Sequence, residues 1–196
     1  MRGVTDNIVL LLILGLGLFF GLHLLRELGL RQQLVSRMGL TRYKALLACG
    51  MIFALALVVY GKSAAPFIQL WVPPYNLRSL TQLLMISSCI LLAAGLLPTS
   101  HTRTLVIHPM LSAVIVWGIS HLLSNGDLAS VLLFAGFSLW AMVKIISLET
   151  RSDKTPPRSQ PAVVWDVAAI TLGMIVYSLL LVFHGPLFGF ALIVQM

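Results

Sequence analysis

Residues 107–146 read IHPMLSAVIVWGISHLLSNGDLASVLLFAGFSLWAMVKII, two apolar runs split by the Ser124-Asn125-Gly126-Asp127 turn. The runs are Ile107–Leu123 and Leu128–Ile146, and Asp127 is the first formal charge after Ile107. A bilayer core about 30 Å thick takes roughly 20 mostly apolar residues at 1.5 Å each, so each run suits a membrane crossing. Without water to satisfy a strand's backbone in hydrocarbon, such runs form helices.

Four more runs flank this core: Asn7–Leu25, Tyr43–Tyr60, Ser79–Leu97 and Val163–Phe183. Arg2 before the first run imitates a signal peptide, but the run is long and no small-x-small cleavage site precedes Arg26 and Glu27, so it reads as a retained helix. The expected fold is all-α, a polytopic transmembrane bundle of about six helices forming a single domain over residues 1–196.

Composition agrees. The 196 residues are 59% hydrophobic and 10% charged, with 13 Lys and Arg against 6 Asp and Glu. Soluble domains carry about 25% charge, so this chain lacks the side chains for a water-facing surface. The net charge of +7 reflects a shortage of acids. Its arginines flank apolar runs and do not interleave with aromatics, which excludes nucleic acid as the partner and points to the lipid bilayer.

Basic loops stay cytoplasmic during insertion. The connections after runs one, three and five hold Arg26, Arg31, Arg37, Arg42, Lys44, Arg103, Lys144, Arg151, Lys154 and Arg158; the other side holds only Arg2, Lys62 and Arg78. Both termini are therefore expected to face the periplasm, in a multi-pass protein of a bacterial inner membrane. The connection Arg26–Arg42 spaces Leu28, Leu30, Leu34, Val35 and Met38 among cations, which suits a helix on an anionic leaflet or a solvated basic loop. Pro66–Tyr75, with Trp71 and Pro73-Pro74, is expected to be an irregular outer loop, and Thr150–Pro161 the most mobile segment. Gly17 and Gly21 form a G-x-x-x-G that admits close helix packing or a flat ligand.

No Asp, Glu, Lys or Arg lies mid-span, and no internal repeat is evident, both arguing against an ion-coupled transporter. Phosphate loops, serine elbows and H-E-x-x-H are missing. Cys49 and Cys89 have no C-x-x-C partner and read as small hydrophobes. Asn125-Gly126 makes a turn whose Asp127 caps the fifth helix. What remains is histidine: His23, His101, His108, His121 and His184, all at run ends. Each alone reads as an interfacial hydrogen-bonding residue. Several together, in a chain with no other polar chemistry, point to metal or haem ligation by some of them. Trp117 lies one turn before His121 and suits a pocket wall or ordinary packing.

The stretch Ile107-His108-Pro109-Met110, then Trp117 through Ser130, Phe134 and Trp140, resembles the core of the NnrU family. His23, Leu30-Arg31, Gly39, Tyr43, Trp71 with Pro73-Pro74, and His184 before Leu187-Phe188-Gly189 extend the resemblance over nearly the whole chain. It implies a link to nitrite and nitric oxide metabolism in denitrifying bacteria, and kinship with the plant zeta-carotene isomerase, which uses haem b. The isomerase's two haem histidines match His23 and His121, and the cysteine three residues before its second histidine is Gly118 here. A thiolate ligand swap is thus unavailable. The family's arginine before His-Pro is Ile107 here, leaving Arg103 as the nearest base for an acidic ligand group such as a haem propionate.

The expected cofactor-binding set is therefore His23, His121, His108 and Arg103, with the three histidines as candidate iron ligands. Run one ends in the cytoplasm and run four outside, so topology favours pairing His23 with His108 or His121 with His184, against the family carry-over of His23 with His121. The readings in play are a haem-dependent protein of nitrogen-oxide metabolism, an isomerase of a lipophilic polyene, or an accessory protein of a membrane reductase.

Overall fold

The computed structural model describes the backbone of residues 2–150 and 160–188, with side chains described from Asn7 onward. The connection Thr150–Pro161, expected to be the most mobile, falls mainly outside the described residues. Among them there are eight helices: α1 Arg2–His23, α2 Leu30–Met38, α3 Leu40–Ala64, α4 Leu77–Leu96, α5 His101–Leu105, α6 Pro109–Leu122, α7 Leu128–Glu149 and α8 Val163–Phe188. The all-α expectation holds, and each of the six apolar runs coincides with a helix. Four of them, α3, α4, α7 and α8, are long and apolar enough to cross a membrane. The apolar part of α1, Asn7–His23, and α6, at 14 residues, are shorter. At 1.5 Å per residue α6 spans only about 21 Å.

Two helices lie outside the six runs. In the first basic connection, α2 is a helix with none of its residues buried. The second, α5, is a single turn opened by Ser100, whose hydroxyl accepts from the Arg103 N–H. Boundaries also moved: α3 runs past Tyr60 to include Lys62, which the sequence placed in a loop. Likewise α8 continues through Pro186 to Phe188.

The described chain divides into two compact units. The first comprises residues 1–71 and 126–136, the second residues 72–125 and 137–196. In the first, α1 and α3 pack antiparallel, with Leu12 against Gly61, Gly15 against Val58, and Leu22 against Gly50. A β-carbon built on Gly61 would stand 2.7 Å from the Leu12 backbone nitrogen, so only hydrogen fits between these helices. The close helix packing expected at the G-x-x-x-G is not found among the described residues. Gly17 and Gly21 are exposed with nothing within 4 Å of an added β-carbon, and the packing glycines are Gly15 and Gly61. A helix turns 100° per residue, which sets His23 about 120° or more around α1 from both open glycines, so they make no platform for a flat ligand on that histidine.

In the second unit α4 runs antiparallel to both α6 and α8. Ser88 Oγ donates to the Ala113 carbonyl at 2.8 Å, and Thr81 donates to the Ser120 carbonyl at 3.1 Å. A β-carbon on Gly173 of α8 would meet the Ile90 Cα at 2.7 Å. Small residues line this seam, and Ala93, Ala94 and Ala169 form its buried cluster. Helices in lipid gain nothing from hiding apolar surface from water, so close backbone approach and van der Waals contact drive such packing.

Candidate functional site

His23 and His121 close their helices in the same way. In each, an aromatic residue stands one turn earlier: Phe19 before His23 and Trp117 before His121. Each histidine places Nδ1 2.9 Å from the backbone carbonyl of that aromatic residue. A carbonyl only accepts, so Nδ1 carries the proton in both hydrogen bonds and the lone pair resides on Nε2. The rings are further held by aromatic contact, at 4.3 Å between centroids for Phe19 and His23 and 5.3 Å for Trp117 and His121.

Around His121 the second unit lines up aromatic rings. Trp117 meets Phe137 edge-on at 5.8 Å, and Phe137 meets Trp140 at 6.3 Å. His184 lies within electrostatic range of His121 and stacks obliquely on Phe188 at 5.0 Å.

His108 is placed differently. It caps α6 ahead of Pro109, which suits the first helical position because that nitrogen needs no hydrogen-bond partner. Its Nε2 is 2.8 Å from Glu149 Oε1 at the end of α7. Arg103 directs Nη1 to the Leu97 carbonyl. Both border a cleft of about 170 Å³ with Gly95, Ile107 and Met110. His108 and His121 sit at opposite ends of α6, about 20 Å apart, and thus serve different places.

Like Glu149 with His108, two further carboxylates have partners that the sequence reading did not pair them with. Asp166, in the first turn of α8, collects four donors: the His101 N–H at 3.0 Å and its Nδ1 at 2.8 Å on one oxygen, and the Thr102 N–H at 2.8 Å and hydroxyl at 2.7 Å on the other. His101 is thereby a structural anchor. In the first unit Asp127 Oδ1 accepts from the Ser130 N–H at 3.0 Å, which is the expected helix cap, and also from Lys62 Nζ at 3.0 Å. Lys62 donates to the Ser130 hydroxyl as well, at 2.8 Å. Burial pushes the Asp127 carboxyl upward, but the Ser130 hydroxyl and N–H and the Lys62 ammonium outweigh it and hold the group below its ordinary range.

The structure thus assigns His23 to the first unit, and His108, His121, His184 and Arg103 to the second. Among the described residues no three His, Cys, Asp or Glu side chains gather into a metal site. Haem iron needs only one or two imidazoles, because the porphyrin supplies the other donors. An imidazole ligand to a metal usually donates its second N–H to a carbonyl or carboxylate, which fixes the tautomer and orients the ring. His23 and His121 each have that arrangement, so each imidazole by itself fits as a ligand of such a group.

The fold defines an all-helical membrane protein, in which His23 and His121 are held in the same way at two helix ends. The chain belongs to the NnrU family, whose model, described as NnrU protein, matches residues 11–192. No curated protein and no solved structure matches it.

Proposed function

We propose that this chain is a haem-binding protein of a bacterial inner membrane, with both termini periplasmic, in which His23 of the first unit and His121 of the second each offer an imidazole ligand for haem b. The supporting observation is the repeated device of an Nδ1 hydrogen bond to the carbonyl one turn earlier, which makes Nε2 the ligating nitrogen in both. When bound, haem supplies a redox-active iron in an apolar setting, suited to nitrogen-oxide metabolism or to isomerising a lipophilic polyene. The chain's own contribution is positional. Phe19 and Trp117 fix the ring planes, and their carbonyls fix the protons.

Purified in detergent from haem-replete cells, the protein should show a Soret band that shifts on reduction. His23→Ala and His121→Ala should each reduce or abolish it, and a colourless wild-type preparation overturns the reading. An accessory role beside a membrane reductase is favoured by one observation. Lys62 with Asp127, His101 with Asp166 and His108 with Glu149 all spend polar chemistry on tying elements together. Under that reading, histidine variants leave the activity of a deletion strain restored.

A further inference from the structure

The connection between α1 and α3 carries a surface that the haem reading does not use. Arg26, Arg31, Arg37, Arg42 and Lys44 are all exposed, and Glu27 is the only acid between His23 and Leu47. Because α1 and α3 pack antiparallel, these cations gather beyond one end of that apolar pair. On α2, Leu30, Leu34 and Met38 follow each other at every fourth position and form a stripe on one face, with Arg37 and Gln33 off its edge. Leu28 is 64% exposed and Leu40 46%, so leucines interleave with the cations.

The helix is held at both ends by backbone geometry. Gly29 and Gly39 have φ of 72° and 82°, the left-handed region that side chains avoid, and they are the only described residues with positive φ. Neither would meet an atom within 4 Å of an added β-carbon, so backbone conformation alone requires glycine there. The Arg31 N–H reaches the Leu25 carbonyl at 3.1 Å, and the Tyr43 N–H reaches Gly39 at 3.1 Å. The connection is thus a short helix set between two fixed bends.

We infer that α2 and its flanking cations form a docking surface for anionic phospholipid headgroups of the bilayer in which the protein sits. Charge complementarity supplies the attraction, and each arginine near such a surface adds about fivefold to the preference. The exposed leucines Leu28, Leu30 and Leu40 decide the source of the phosphate. A dissolved anion or a nucleic acid gives leucines nowhere to go, whereas the headgroup boundary takes the apolar face and the cations side by side.

The test uses the full chain in nanodiscs of phosphatidylcholine, alone or mixed with phosphatidylglycerol. Native mass spectrometry of the released protein should show phosphatidylglycerol retained over phosphatidylcholine, and the amides of residues 30–38 should exchange more slowly in the mixed discs. High salt should erase both effects. Arg31→Gln, Arg37→Gln and Arg42→Gln should each lower the lipid preference about fivefold, while the triple Arg→Lys variant keeps it, which separates lost charge from lost fold. Equal retention of the two lipids overturns the inference. So does equal protection of these amides by inorganic phosphate in phosphatidylcholine discs, which would make the surface a site for a soluble anion.

Discussion

Lys62 Nζ stands 3.0 Å from Asp127 Oδ1, joining the last turn of α3 to the cap of α7 across 65 positions of sequence. The lysine is about one-third exposed and the aspartate nearly buried, so their contributions differ. Asp127→Ala removes a helix cap along with an ion partner, and should cost about 1–2 kcal/mol. Lys62→Met should cost less, since the cap survives. A double-mutant cycle on unfolding in mixed micelles should show coupling of about 0.5–3 kcal/mol between them; strict additivity would refute the tie.

The same carboxylate gives a pH dependence. Its native pKa is held below the unfolded value, so it adds stability that is complete above about pH 4 and is lost as pH falls through the depressed native value. Thermal melts of the wild type should therefore drop more steeply on the acid side than those of Asp127→Asn. Parallel acid limbs would show that this group is not linked to folding.

Glycines on α1 and α3 should respond oppositely to one added methyl. Gly61→Ala forces a carbon into the Leu12 backbone and should cost about 1–3 kcal/mol. Gly17→Ala meets open space and removes a flexible residue from a helix, so it should be neutral or stabilising by up to about 1 kcal/mol. Melting temperatures of the two variants should diverge; equal losses would mean that the G-x-x-x-G packs after all.

Phe19→Leu and Trp117→Leu keep the backbone carbonyl that orients each histidine but remove the ring beside it. Each should weaken haem retention by up to about tenfold while the Soret band persists. Measured by haem transfer to apomyoglobin, an unchanged rate would reduce the aromatic neighbours to packing.

Six helices were legible because a hydrophobic run of membrane length admits one structure, and Asp127 as a cap was legible because capping is local. His23 and His121 stood out as ends of runs, but their shared tautomer needed the geometry of the preceding turn. The partners of Lys62 and Asp166 were hidden, since each lies more than 60 residues from what it binds. The misread glycines have a related cause. Spacing along one helix says which residues share a face, and only the second helix says which face is used.

The Gly126 carbonyl accepts from both Leu70 and Trp71, at 2.7 and 3.2 Å, and the Ile68 carbonyl accepts from Leu128 at 2.8 Å. These three bonds stitch the loop after α3 to the start of α7 in a fixed register. The loop consequently has no slack. Deleting one residue between Ala65 and Gln69 would draw Ile68 away from Leu128 and break all three bonds of this register, so length here is under a constraint that side-chain identity is not.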